Sequence, residues 1–183
     1  MANTSADKLR IFFALWPTAT ERRALVGWQT VLKEKCGGRV MRADTLHATL
    51  VFLGEVEAAR IEALKLAAEE VSAESFELRF DQACYWGHNH ILYATPSAVP
   101  DALLQLVDEL ARRLKRHRFS FMKHEFKPHI TLLRNARWTD KPLPEMQAVC
   151  WRIKDFVLVQ SAPQADHAHY RVLARFPFLD NFK

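Results

Sequence analysis

The chain has 183 residues, 49% of them hydrophobic, and 26 Lys and Arg stand against 21 Asp and Glu for a formal net charge of +5. That length and composition suit a packed globular core and exclude a collagen-like or disordered chain. No apolar run is long enough to span a bilayer, and residues 1–10 lack the apolar stretch of a signal peptide.

Residues 1–8 read as a short disordered lead-in. The run Leu9-Arg10-Ile11-Phe12-Phe13-Ala14-Leu15 is a buried strand ended by Pro17. Thr18 opens a helix with Glu21 as its capping-box partner; Leu25, Trp28 and Val31/Leu32 form the apolar stripe, and Gly37-Gly38 stop it. A strand around residues 46–53 follows, ending near Gly54. A second helix carries Ile61, Leu64, Ala68 and Val71 on one face. Phe76, Leu78 and Phe80 alternate with charged residues, as in a half-buried strand. Cys84-Tyr85-Trp86 and Ile91-Leu92-Tyr93-Ala94 flank Gly87-His88-Asn89-His90 as a hairpin. A third helix begins near Ser97-Ala98 with Leu103, Val107, Leu110 and Leu114 inward, and its last turn is basic. A strand around residues 128–133, a loop over 137–144, and strands over 153–160 and 170–176 complete the chain. The order strand, helix, strand over residues 11–53 recurs over 91–133, which implies two similar lobes packed together.

The two recurring strands carry one motif: Leu46-His47-Ala48-Thr49-Leu50 and Pro128-His129-Ile130-Thr131-Leu132. A single His-x-Thr carries little weight, but two copies, each followed by Leu in an aliphatic run, need a reason. Side chains alternate along a strand, so His and Thr share one face while Ala48/Leu50 or Ile130/Leu132 fill the other. Two such strands side by side set two imidazoles and two hydroxyls around one small anion.

This pair of tetrads resembles the 2H phosphoesterase superfamily. The first strand (residues 10–15), Leu46 to Gly54, and Phe126-Lys127-Pro128-His129-Ile130-Thr131-Leu132-Leu133-Arg134 resemble the bacterial RNA 2′,3′-cyclic phosphodiesterases, also called 2′-5′ RNA ligases. The resemblance implies an α+β fold of two pseudo-symmetric lobes, with antiparallel sheets flanked by helices around a central cleft, in a single domain over residues 1–183. It implies His47 as general acid, His129 as general base, and Thr49, Thr131 and Arg134 as groups that hold phosphate. It further implies metal- and cofactor-free hydrolysis of RNA 2′,3′-cyclic phosphate ends to 2′-phosphates, with 2′-5′ ligation as the reverse of cleavage. Alternatives are a 2′-5′ oligonucleotide or small cyclic-nucleotide phosphodiesterase, and a non-catalytic RNA-binding protein. The expected partner is an RNA end or a cyclic nucleotide, the expected state a monomer.

Other signals are weaker. Arg134 lies five residues after His129, an odd offset that in a regular strand points away from the cleft. The stretch 112–127 mixes cations with Phe119, Phe121 and Phe126, a pattern suited to single-stranded RNA. Phe13, Trp86 and Tyr170 are candidate stacking rings. His88/His90 and His167/His169, with Asp81 or Asp166, are a remote metal possibility, and His117 and His124 read as basic surface. The mild basic excess is compatible with a polyanionic partner. Three widely spaced cysteines, Cys36, Cys84 and Cys150, fit reduced thiols in a cytoplasmic protein.

Overall fold

A computed structural model of the chain describes residues 7–122, 125–138, 141–163 and 168–179. The first strand, β1 (Lys8–Leu15), starts inside the expected lead-in. Its Ile11, Phe13 and Leu15 are fully buried, and Arg10, Phe12 and Ala14 occupy the other face. Helix α1 (Ala19–Cys36) begins at the Thr18–Glu21 capping box. Gln29 on this helix is buried, and its amide donates to the Met41 and Leu132 carbonyls at 2.8 and 3.0 Å. A buried amide left unpaired would cost about 1–3 kcal/mol, so this side chain fixes the helix against the segment that carries the second motif.

Strands β2 (Arg39–Val40) and β3 (Ala48–Glu57) follow, then α2 (Ile61–Glu69), β4 (Phe76–Phe80), and the hairpin β5 (Gln82–Trp86) and β6 (Ile91–Thr95). Helix α3 (Asp101–Arg116) precedes β7 (Ile130–Arg134), β8 (Val149–Ile153), β9 (Asp155–Pro163) and β10 (Ala168–Pro177). Helix α3 starts later than the sequence suggests. Asp81 accepts from the Ser97 amide and hydroxyl at 2.8 and 2.7 Å, which holds Ser97 in the connection. Pro100 also disfavours helical geometry at the residue before it. The strand expected over 153–160 is two strands: β8 pairs with β4 in a separate ribbon, and β9 runs beside β1.

The main sheet has the order β10-β9-β1-β3-β7-β6-β5, with β2 also on β7, and all its pairings are antiparallel. Its two halves meet through one residue pair, Ala48 opposite Ile130. On either side stand the related units β1-α1-β3 and β6-α3-β7, the two lobes that the repeated element order implies. The architecture is therefore α+β, with two pseudo-symmetric halves. Among the described residues no helix is long and apolar enough to cross a membrane. Cys36, Cys84 and Cys150 are all free thiols.

Each motif strand carries an extra residue directly after its threonine, and β3 has a second at Leu53. Phe13 faces Val51 but Ala14 faces Thr49, so Leu50 is unmatched in β3. Tyr93 faces Thr131 but Leu92 faces Leu133, so Leu132 is unmatched in β7. A bulge re-aims the residues that follow it. Here it turns two consecutive residues, Leu50-Val51 and Leu132-Leu133, into the core, where all four are buried. Burying each such side chain contributes roughly 2 kcal/mol, enough to hold the bulges in place. The residue after each pair, Phe52 or Arg134, then returns to the face of the motif threonine.

Candidate active site

His47 and His129 each sit one residue ahead of a strand, at the entrances to β3 and β7. Extending the Ala48–Ile130 pair by one residue each way sets His47 opposite Thr131 and Thr49 opposite His129. The two histidines are then diagonal neighbours, a relation that places backbones about 7–8 Å apart. All four side chains are half-buried on one face. The sequence expectation of two imidazoles and two hydroxyls in one place thus matches the register.

Both rings are oriented in the same way. His47 Nδ1 lies 2.7 Å from the Thr45 carbonyl, and His129 Nδ1 lies 2.7 Å from the Lys127 carbonyl. A carbonyl only accepts, so each Nδ1–H donates, and each Nε2 is left for chemistry. The surroundings differ. His47 is enclosed by Phe12 (ring centroids 4.9 Å), Trp16 (stacked, 5.7 Å) and Tyr170 (edge-on, 5.2 Å). His129 meets Trp86 at 4.7 Å and Tyr93 at 5.8 Å, both edge-on. Burial lowers the His47 pKa to about 4, against the opposing pull of the Thr45 carbonyl, with further lowering from His129, Arg22 and Arg134. Burial also lowers His129, partly offset by the Lys127 carbonyl.

Arg134 belongs to this face. The odd offset that would point it away is cancelled by the extra residue Leu132, and its charge is felt at His47. Gly38 packs against its backbone: a Cβ there would lie 2.7 Å from the Arg134 oxygen, and the residue has φ +82. Arg22 was not singled out by sequence. It donates to the Pro17 carbonyl at 3.0 Å and to the Ala43 carbonyl, and its guanidinium lies over Trp16 at 5.2 Å. Phe12, Trp16 and Tyr93 were also missed; alternation groups Phe12 with Ala14 and Trp16 on one face but does not say which face meets the histidines.

Several expectations are corrected. Phe13 is fully buried against Phe156 and Phe176, so Phe12 lines the site instead; Trp86 and Tyr170 do lie at the histidines. Part of the basic stretch is engaged within the protein. Arg112 and Arg113 pair with Glu109, Arg113 and His117 reach Glu70 at 3.0 and 2.7 Å, and Phe119 is buried beneath Arg60. His90 is bonded to the Tyr85 hydroxyl at 2.8 Å, and Asp81 is taken by Ser97. Among the described residues no three His, Cys, Asp or Glu side chains gather to hold a metal. His124, Asp166 and His167 lie outside the described residues.

Paired imidazoles with free Nε2 atoms, two hydroxyls and a guanidinium on one face form a site for acid–base chemistry at an anion, in a fold of two pseudo-equivalent lobes. Comparison with known proteins gives the family. The chain matches the family described as LigT like Phosphoesterase over residues 15–93 and 94–165, two segments that meet within β6 at the start of the second unit. It is 31% identical over 171 residues to the RNA 2′,3′-cyclic phosphodiesterase of Escherichia coli, covering 93% of this chain and 97% of that one. The Thermus thermophilus protein of the same name is 27% identical, with 92% and 89% covered. The crystal structure of E. coli LigT superposes with a TM-score of 0.84 at 30% identity, covering 94% of this chain, both in the apo form and complexed with 3′-AMP. The chain belongs to the LigT-like phosphoesterases.

Proposed function

We propose that this enzyme opens RNA 2′,3′-cyclic phosphate ends to 2′-phosphates by histidine acid–base catalysis. His129 Nε2 takes a proton from water as the water oxygen bonds to phosphorus. The bond from phosphorus to O3′ breaks on the opposite side, and His47 Nε2 delivers a proton to that oxygen. Thr49 and Thr131 donate to the non-bridging oxygens, and Arg134 balances their charge. The observation that carries this reading is the pair of rings fixed by Nδ1–H donation to the carbonyl two residues back, diagonal across the one residue pair joining the lobes. The choice of which ring is the acid, and of O3′ as leaving atom, follows the family resemblance.

His47 has to be protonated to act as acid, yet burial holds it neutral in the free protein. A bound phosphate anion beside it supplies the opposite charge that favours the imidazolium, so substrate binding itself arms the acid. The same step with an RNA 5′-hydroxyl in place of water as the attacking group bonds O5′ to phosphorus as O3′ leaves, and so forms a 2′-5′ linkage.

The test is incubation with an oligonucleotide ending in a 2′,3′-cyclic phosphate, with EDTA present. The expected product is the 2′-phosphate, and His47→Ala or His129→Ala removes turnover while far-UV circular dichroism is unchanged. Activity lost to EDTA and restored by a divalent ion would overturn the scheme, as would a wild-type rate in either variant.

A further inference from the structure

The two motif strands are equivalent up to the third residue after each threonine, where they diverge. Phe52 in the first lobe and Arg134 in the second take the same place after their bulges. Beside Arg134, β2 pairs with β7 so that Arg39 stands directly opposite it. Opposed residues of an antiparallel pair project to one face with Cβ atoms about 4.5–5.5 Å apart, and like charges so placed repel. Both arginines are exposed, and neither makes an ion pair among the described residues. The equivalent place in the first lobe is balanced. The Arg10 guanidinium covers the Phe52 ring at 5.0 Å, its cross-strand partner is Glu55, and Glu55 also meets Lys8 at 3.6 Å. An unbalanced double positive charge therefore continues the site on one side only, along β7 past Thr131.

We infer that Arg39 binds the phosphodiester on the 5′ side of the terminal nucleotide, next to the phosphate faced by Arg134, so that the RNA chain leaves the site over β2. The inference rests on the cyclic phosphodiesterase reading and adds a substrate direction to it. Two guanidinium forks facing each other suit successive phosphates, because each offers paired donors in one plane. An anion between them also removes their mutual repulsion. Gly38 supports the arrangement, since only a residue without Cβ lets the chain before Arg39 approach the Arg134 backbone so closely.

The experiment compares wild type and Arg39→Gln on two substrates. Adenosine 2′,3′-cyclic phosphate has no second phosphodiester, and a short oligonucleotide with the same end has several. The expected result is an oligonucleotide KM raised about fivefold and a salt dependence of KM shallower by about 0.7 in log–log slope, with mononucleotide kinetics within about twofold of wild type. Arg171→Gln, on the far side of the sheet, serves as a charge control and leaves both substrates unaffected. Equal loss on both substrates, no loss on either, or an equal effect of Arg171→Gln overturns the inference. Fluorescence anisotropy with a labelled oligonucleotide ending in a 2′-phosphate reads the same contact without turnover. Weaker binding by Arg39→Gln there supports the clamp even if the wild type opens no ring, whereas unchanged binding refutes it.

Discussion

The enclosure of His47 predicts a pH dependence of stability that one substitution removes. In the folded protein the ring stays neutral down to about pH 4, whereas an ordinary histidine takes its proton near 6.5. Between those values the unfolded chain binds more protons than the native one, so stability rises with pH there and falls on acidification. The contribution is complete above pH 6.5 and is lost progressively as pH drops towards 4. From pH 7.5 to 4.5 this one ring accounts for a loss of about 2.5 kcal/mol. Urea unfolding of wild type and His47→Gln at both pH values isolates it, because the other titrating groups are common to both proteins. The variant should lose about 2.5 kcal/mol less on acidification. Equal losses would show that the Phe12–Trp16–Tyr170 enclosure does not desolvate the ring. Should the variant fold poorly, the His47 ring proton followed by NMR in the wild type gives the same answer: a midpoint near 6.5 refutes the reasoning.

Three further outcomes follow from the same geometry. Both histidine pKa values are lowered in the free protein, so kcat/KM for the cyclic nucleotide should peak below about pH 6.5; the pH–rate profile tests this, and an optimum above 7 contradicts it. Trp16→Ala opens one side of His47 and should raise its NMR-measured pKa towards the ordinary value, while inorganic phosphate raises it further in both proteins. Gly38→Ala places a Cβ against the Arg134 and Ala136 backbone at positive φ, and should cost about 2–3 kcal/mol by urea unfolding with a raised KM through displacement of Arg134.

Much of the site was legible because its logic is local. A His-x-Thr strand states its own facing, and two copies in similar lobes state their partnership. Helix α1 was equally plain, with a Thr-x-x-Glu start and a Gly-Gly stop. What sequence could not show were events decided by a partner strand. The bulge at Leu132 exists only relative to β6, so counting from His129 put Arg134 on the wrong face. Phe12 and Phe13 are both apolar, and only the register with β9 and β3 says which one is core. The break at Lys154 separates two strands whose sequence is continuous, because β4 competes for the first half. Nor does the basic stretch announce that Arg113 and Phe119 are met by Glu70 and Arg60 at the two ends of α2, which come from 40 or more residues away.

Under the proposed mechanism a pseudo-two-fold site faces a chemical problem: acid–base catalysis needs unlike partners, and this fold builds like ones. The backbone does not separate them, since both rings donate Nδ1–H to the carbonyl two residues back at the same 2.7 Å. The distinction has to come from the flanking strands. On one side β1 with the residue after it and β10 bring Phe12, Trp16 and Tyr170 around His47, while on the other β5 and β6 bring Trp86 and Tyr93 to His129. Three rings desolvate more than two, and two arginines add their repulsion at His47. The ring with the harder protonation is the one that gains most from a phosphate anion, and on departure of that anion it returns to neutrality. A water-accepting ring needs no such help. On that proposal the unequal aromatic enclosures are what assign unlike work to two chemically identical motifs, and the strands β1 and β10 then belong to the catalytic design along with the histidines.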